Sequence, residues 1–347
     1  MKRRAVIVGC GHMATGWAKS LTGASLAKRV EICGLVDPNL DMARKLQAEL
    51  GLSAAVLSTD LAAVLAEVGP DLVFDIAVPS ARLGIVGMAL RAGCDILTEK
   101  PMATSLTEAA AINALARETG QVHAVTQNRR FKDGIRRVRA TIESGVIGEI
   151  TALHADFFIG AHFGGFRDVM DHVLLLDMAI HTFDAARYMS GEEPEAVYCV
   201  ETNPKASWYA QGAAATAIFE MTNGVQFSYR GSWCAEGSDT NWDAVWRIIG
   251  TRGTLIWDGL DGYKTQVVNG DEGFSRPLRE VPISAPKDAS QTEDHTSVIR
   301  EFLDALDQMR PPETAGSDNI KSLAMVFGAI ESSATKQRVL INLKELS

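Results

Sequence analysis

The chain has 347 residues, 46% hydrophobic and 22% charged, with a formal net charge of −9. That length exceeds what one hydrophobic core usually supports, so two domains are expected. The acidic balance offers no basic surface to a phosphate backbone and argues against nucleic acid as a partner, and no apolar run is long enough to suggest a membrane partner.

The first segment, Met1-Lys2-Arg3-Arg4 followed by Ala-Val-Ile-Val, superficially resembles a secretory leader. Gly9, Gly11 and His12 end its apolar run too soon, and a buried first strand fits better. From Arg4 to about Gln127, short β-branched runs alternate with longer stretches of helical spacing. Strands are expected at Ala5 to Val8, Val30 to Val36, Leu72 to Val78, Asp95 to Thr98 and Val122 to Val125. Helices are expected at Met13 to Leu21, Leu40 to Leu50, Leu61 to Glu67, Ala81 to Ala92 and Leu106 to Glu118. This alternation predicts a doubly wound parallel sheet over residues 1–127.

Residues 128–347 read as a second, α+β domain with a large, open, mostly antiparallel sheet. A helix near Ile135 to Ser144 and another from about Val173 to Met189 precede a run of strands from Val197 to Val268, read as a meander. Asn223-Gly224 and Thr251-Arg252-Gly253 are expected to be hairpin turns, with glycine supplying positive φ. Two terminal helices, Asp294 to Met309 and Ile320 to Thr335, are separated by Pro311-Pro312. Arg129-Arg130 and Arg136-Arg137-Val138-Arg139 read as solvated helix faces. The cysteines at 10, 33, 94, 199 and 234 form no close pair, which suits a reducing cytoplasm.

Gly9-Cys10-Gly11-His12-Met13-Ala14 follows the first strand and opens a helix, the context that gives a G-x-G-x-x-G/A sequence its meaning. Gly9 suits the tight turn, Gly11 lets backbone approach a pyrophosphate, and Ala14 permits close helix packing. Asp37 ends the second strand where an adenosine ribose would lie. Its carboxylate would accept from two ribose hydroxyls and repel a 2′-phosphate, favouring NAD over NADP; a turn or N-cap role before Pro38 is compatible with this. Lys100 in Thr98-Glu99-Lys100-Pro101 stands at the carboxyl edge of a strand, where its ammonium can stabilise a developing oxyanion. Asp177 and His181 lie four residues apart on an apolar helix and share a face.

These motifs, in this order, resemble the Gfo/Idh/MocA oxidoreductases (glucose-fructose oxidoreductase and inositol dehydrogenase types), and the closing segment from Asp318 resembles that family's terminal helix. The resemblance implies a Rossmann domain that binds NAD through Gly9, Cys10, Gly11, His12, Met13, Asp37, Pro79, Glu99 and Lys100. It also implies a Lys100, Asp177 and His181 constellation that oxidises a hydroxyl of a sugar, sugar derivative or cyclitol. His181 would be general base, Lys100 would polarise the same oxygen, and Asp177 would bind a neighbouring hydroxyl.

Met170-Asp171-His172-Val173 stands where many members carry glycines, so Asp171 and His172 are expected to reshape the substrate pocket. Phe163, Arg167, Asp168, His172 and Trp242 are further substrate-contact candidates. His162, His172, Asp177 and His181 lack the spacing of a zinc site, so no metal is expected. An NAD-using glycoside hydrolase and a non-catalytic NAD-binding regulator are the alternative functions. Association into a homodimer or homotetramer through the second domain's sheet is expected, because an open sheet face needs cover.

Overall fold

The computed structural model describes residues 2–346 and separates into two compact units. The first runs to Asn128 and also takes in Glu293–Ile320; the second comprises Arg129–Thr292 and Lys321–Glu345. This differs from a single cut after residue 127. The returning segment joins the first unit through side chains that no local pattern announces: Arg29 pairs with Asp304 at 2.5 Å and Arg3 with Asp307 at 2.8 Å.

The first unit contains strands β1 (Arg3–Val8), β2 (Val30–Val36), β3 (Val56–Ser58), β4 (Leu72–Asp75), β5 (Asp95–Thr98) and β6 (His123–Val125). They form a six-stranded sheet in the order β3-β2-β1-β4-β5-β6, parallel at every pairing. The intervening helices are α1 (His12–Thr22), α2 (Leu40–Leu50), α3 (Leu61–Val68), α4 (Pro79–Arg91) and α5 (Leu106–Thr119). Val6, Ile7, Val73, Phe74, Ile96 and Leu97 are fully buried, as expected of parallel strands covered on both faces. Helix starts follow local chemistry: Asn39, Asp60 and Ser105 each accept a backbone N–H of the first turn. β4 ends at Asp75 rather than at Val78, because Pro79 opens α4. The three-residue β3 escaped the sequence reading, being too short to show a period.

His123 at the start of β6 is buried, with Nε2 3.2 Å from the Thr98 hydroxyl. Burial, and then the charge of Arg82, pushes its imidazole down to about 3 from 6.5. The unfolded chain therefore takes up a proton that the folded chain refuses, and stability falls as pH drops below the ordinary imidazole range. We expect Tm to decline between about pH 7 and about pH 5, and His123→Gln to flatten that slope in thermal unfolding.

The second unit begins with α6 (Asp133–Glu143) and β7 (Ile150–Phe158), followed by a six-residue π-helical turn, Leu174–Ala179, and α7 (Ile180–Ser190). Then come β8 (Pro194–Thr202), β9 (Ala214–Met221), β10 (Gln226–Ser232), β11 (Val245–Gly250), β12 (Gly253–Trp257), β13 (Tyr263–Val268) and β14 (Leu278–Val281). Helix α8 (His295–Asp307) lies in the first unit; α9 (Gly316–Thr335) begins there and continues into the second, followed by β15 (Val339–Leu340). The nine-stranded sheet runs β14-β13-β12-β11-β7-β10-β9-β8-β15.

It is mostly antiparallel but not a plain meander. β7, absent from the sequence reading, inserts between β10 and β11 and pairs parallel with β10. The Asn223-Gly224 turn has the expected positive φ at both residues, 56° and 72°. At Thr251-Arg252-Gly253 the glycine is needed for space instead: a Cβ on Gly253 would lie 2.6 Å from the Gln266 carbonyl oxygen.

Phe183 on α7 packs against Phe219, Phe227 and Tyr229 of the sheet, with centroid distances of 4.8, 6.0 and 5.2 Å. This anchors the helix that carries His181. The arginines expected to be solvated are partly structural. Arg130 is buried and pairs with Asp184 at 2.7 Å, Arg129 pairs with Asp243 at 2.8 Å, and Arg136 and Arg139 lie over the Tyr188 ring. Asp184 also accepts from Ser322 at 2.7 Å. Removing one partner of such a pair strands a buried charge, so Asp184→Ala is expected to cost about 3–5 kcal/mol in denaturant unfolding.

Candidate active site

In the first unit, Gly9 has φ +86° and packs so closely on the next loop that a Cβ would lie 2.7 Å from the Ala77 amide nitrogen. A Cβ on Gly11 would meet nothing within 4 Å. That open space lies beside the first-turn amides of α1, which lack helical acceptors and suit a pyrophosphate. Asp37 is tied to the same loop: its Oδ2 accepts the Cys10 N–H at 2.7 Å, and its Oδ1 accepts the Asn39 N–H at 2.8 Å. Each carboxylate oxygen retains lone-pair capacity for ribose hydroxyls.

These residues fit NAD. Burial, then the Asp37 charge, pushes the Cys10 thiol up to about 12, so Cys10 contributes backbone and packing rather than a thiolate. Pro79 is the first residue of α4 and Met13 is exposed. We expect Asp37→Ser to weaken NAD binding about 10- to 100-fold in fluorescence titration and to narrow the gap to NADP.

Glu99 and Lys100 follow β5 at its carboxyl end, and the Lys100–Pro101 peptide is cis. The Glu99 carboxylate is buried; it accepts the Trp17 indole N–H at 2.8 Å and the Lys100 backbone N–H at 3.1 Å. His295 lies 3.8 Å away. Burial alone would raise the Glu99 carboxyl, but His295, Trp17 and Lys100 outweigh it and hold it below its ordinary value.

In the second unit, Asp177 and His181 are both buried. Asp177 sits in the π-helical turn and His181 in the first turn of α7, so the helix is not uniform as its spacing suggested. Single π-turns recur at functional sites. Arg167 donates from Nε to Asp177 Oδ2 at 2.6 Å, and its guanidinium lies 4.9 Å from the Phe163 ring centroid and 4.8 Å from that of Phe166.

Trp242 is 46% exposed, with its ring 6.2 Å from Phe163; Trp233, just after β10, is buried with its ring 5.1 Å from Phe163, and Trp246 is buried in β11. The structure thus brings Arg167, Phe163 and Trp242 together and links them to Asp177. His172 turns to Glu201, with Nδ1 2.5 Å from Oε2, and Asp171 accepts from Gln211. Both therefore brace the loop. Asp168 accepts the Ala210 N–H at its backbone oxygen, 2.7 Å.

Residues 3–127 match the family model described as "Oxidoreductase family, NAD-binding Rossmann fold", and residues 135–256 match "GFO/IDH/MocA C-terminal domain". The chain belongs to the Gfo/Idh/MocA family. Relatives of this Gfo/Idh/MocA oxidoreductase include a D-apiose dehydrogenase of Rhizobium rhizogenes, 26% identical with 97% of this chain and 96% of that protein covered. An inositol 2-dehydrogenase of Rhizobium meliloti is also 26% identical, over 72% of this chain and 74% of that protein. A crystal structure of an oxidoreductase from Agrobacterium radiobacter, in complex with NAD+, L-tartaric acid and magnesium, shares the fold. Its TM-score is 0.85 at 22% identity, covering 98% of this chain and 99% of that one. The chain is an NAD-dependent oxidoreductase by family.

Among the described residues, no group of three or more His, Cys, Asp or Glu is arranged to hold a metal, and no helix is long and apolar enough to cross a membrane. Sequence reasoning missed Trp17, Arg82 and His295 around the Glu99-Lys100-Pro101 segment. Each is remote in sequence or lies on an ordinary helix, and none carried a local signal.

Proposed function

We propose that this enzyme oxidises a secondary hydroxyl of a sugar, sugar derivative or cyclitol. The carrying observation is the buried Asp177 and His181 at a π-to-α junction, with the Asp177 charge already matched by Arg167. That pairing leaves His181 as the group suited to accept the hydroxyl proton. Imidazole can exchange a proton near neutral pH. Lys100 would donate a hydrogen bond to the same oxygen and stabilise the negative charge that develops as its proton passes to His181, a charge that collapses into the C=O bond as the C–H electron pair leaves as hydride. Asp177 accepts from an adjacent hydroxyl, and Phe163 and Trp242 offer aromatic surface to the apolar face of a ring.

NAD, when bound by the Gly9–Ala14 loop and Asp37, supplies the hydride acceptor. The products are a ketone, reduced cofactor and the proton held by His181. The names of the D-apiose and inositol dehydrogenase relatives support this substrate class.

The test is reduced-nicotinamide absorbance with NAD and a panel of inositols, aldoses and sugar acids. A substrate-dependent rise is expected; glycoside cleavage without net reduction would replace the dehydrogenase reading with the hydrolase one. The same reading includes a cytoplasmic address, in keeping with free cysteines at all five positions. It also includes a homodimer or homotetramer. One face of the second unit's sheet exposes Tyr198, Val200 and Ile218 at 45%, 48% and 48%, a pattern suited to subunit contact. Sedimentation should show a dimer or larger species at micromolar concentration; a clean monomer contradicts it.

A further inference from the structure

The Glu99-Lys100-Pro101 segment is held at Glu99 and at Pro101 by buried residues outside the Lys100, Asp177 and His181 set. On one side is Arg82, a fully buried arginine on α4. Its Nε donates to Asp75 Oδ2 at 3.0 Å, its Nη2 to the Ala77 carbonyl at 2.7 Å, and its Nη1 to the Pro101 carbonyl. Asp75, equally buried, also accepts the Ala77 N–H at 2.9 Å, while its backbone carbonyl accepts the Glu99 N–H at 2.8 Å. Burial pushes the Asp75 carboxyl up from its ordinary value, and Arg82 and the Ala77 amide oppose that rise.

On the other side, the Glu99 carboxylate is held by the Trp17 indole at 2.8 Å, with His295 of the returning segment 3.8 Å away. His295 is itself 3.5 Å from Asp294, which accepts from Asn128 at 2.6 Å. The loop bearing Lys100 is thus fixed at the residue before it and the residue after it.

We infer that Arg82 and Trp17 are positioning residues for Lys100: Arg82 fixes the Pro101 carbonyl, Trp17 fixes Glu99, and together they set where the ammonium is presented. A buried ion pair is weak evidence for stability, since apolar replacements of similar volume often do as well. Its planar fork, however, can hold two carbonyls and a carboxylate at fixed angles, which lysine cannot. The inference rests on the proposed role of Lys100, because a misplaced ammonium matters only if that ammonium acts.

The experiment is a double-mutant cycle on the full-length protein with the substrate selected by the panel above. Arg82→Lys and Trp17→Phe are each made in the native and the Lys100→Ala backgrounds, and kcat and KM are measured with thermal unfolding as the folding check. Each substitution is expected to lower kcat about 10- to 100-fold in the native background, as small displacements of a reacting group do. In the Lys100→Ala background each should change kcat by no more than about twofold, because the group being positioned is gone.

Equal losses in both backgrounds, or no loss in the native one, overturn the inference and leave the role of Lys100 standing. If Lys100→Ala itself keeps full activity, that role fails and the inference fails with it. Should Arg82→Lys not fold, the Trp17→Phe cycle, which removes one N–H donor with little change in packing, decides the matter under the same criteria.

Discussion

Replacing His181 with alanine is expected to lower kcat by about 10²- to 10⁴-fold, the usual contribution of a positioned general base. The rising limb of the pH–rate profile should vanish with it, since only the unprotonated imidazole can accept the hydroxyl proton and activity therefore climbs as pH rises. Added imidazole should restore part of the rate. His181 lies in the first turn of a helix pinned to the sheet by Phe183, so a loss of activity with unchanged unfolding temperature separates chemistry from packing. Activity within a few-fold of native, with the pH limb intact, contradicts the assignment.

Lys100→Ala carries the second large effect. One lost donor to a developing oxyanion costs about 10²- to 10³-fold in kcat. The cofactor loop is held by Asp37 on the Cys10 amide, a contact that does not involve Lys100. NAD affinity should consequently fall far less than kcat in fluorescence titration. A loss of cofactor affinity as large as the loss of kcat would leave Lys100 only its cofactor-binding role and contradict the oxyanion role.

The first unit was legible because its signals are local. Strand and helix periods, the glycine turn after β1, and the acid ending β2 each sit within a few residues of what they specify, and the observed strand order follows. The second unit was harder. β7 buries Leu153, Ala155 and Phe157 on one face, but Ala152 and Phe158 on the other face blur that alternation in sequence, and its insertion between β10 and β11 is a long-range event. The π-turn around Asp177 looks, in sequence, like ordinary helix. Arg130 and Arg136 read as solvent-facing because composition cannot show that Asp184 or the Tyr188 ring awaits them.

Around the candidate site the same division holds. Lys100, Asp177 and His181 stood out by motif, and Arg167 and Phe163 by their nearness in sequence to Asp177. Arg82, Trp17 and His295 are defined only by what folding brings to Glu99 and Pro101. His172, expected at the substrate pocket, has in Glu201 of β8 a partner that its sequence neighbourhood does not announce.

Deuterium transfer decides whether hydride moves from a substrate carbinol carbon to the cofactor. The preferred polyol or sugar, deuterated at its carbinol carbons, is incubated with native protein and NAD, and the reduced cofactor is analysed by mass spectrometry. One deuterium per reduced cofactor is expected, formed in step with ketone and abolished by Lys100→Ala and His181→Ala. Turnover that leaves the cofactor oxidised, or reduced cofactor free of deuterium, would contradict it.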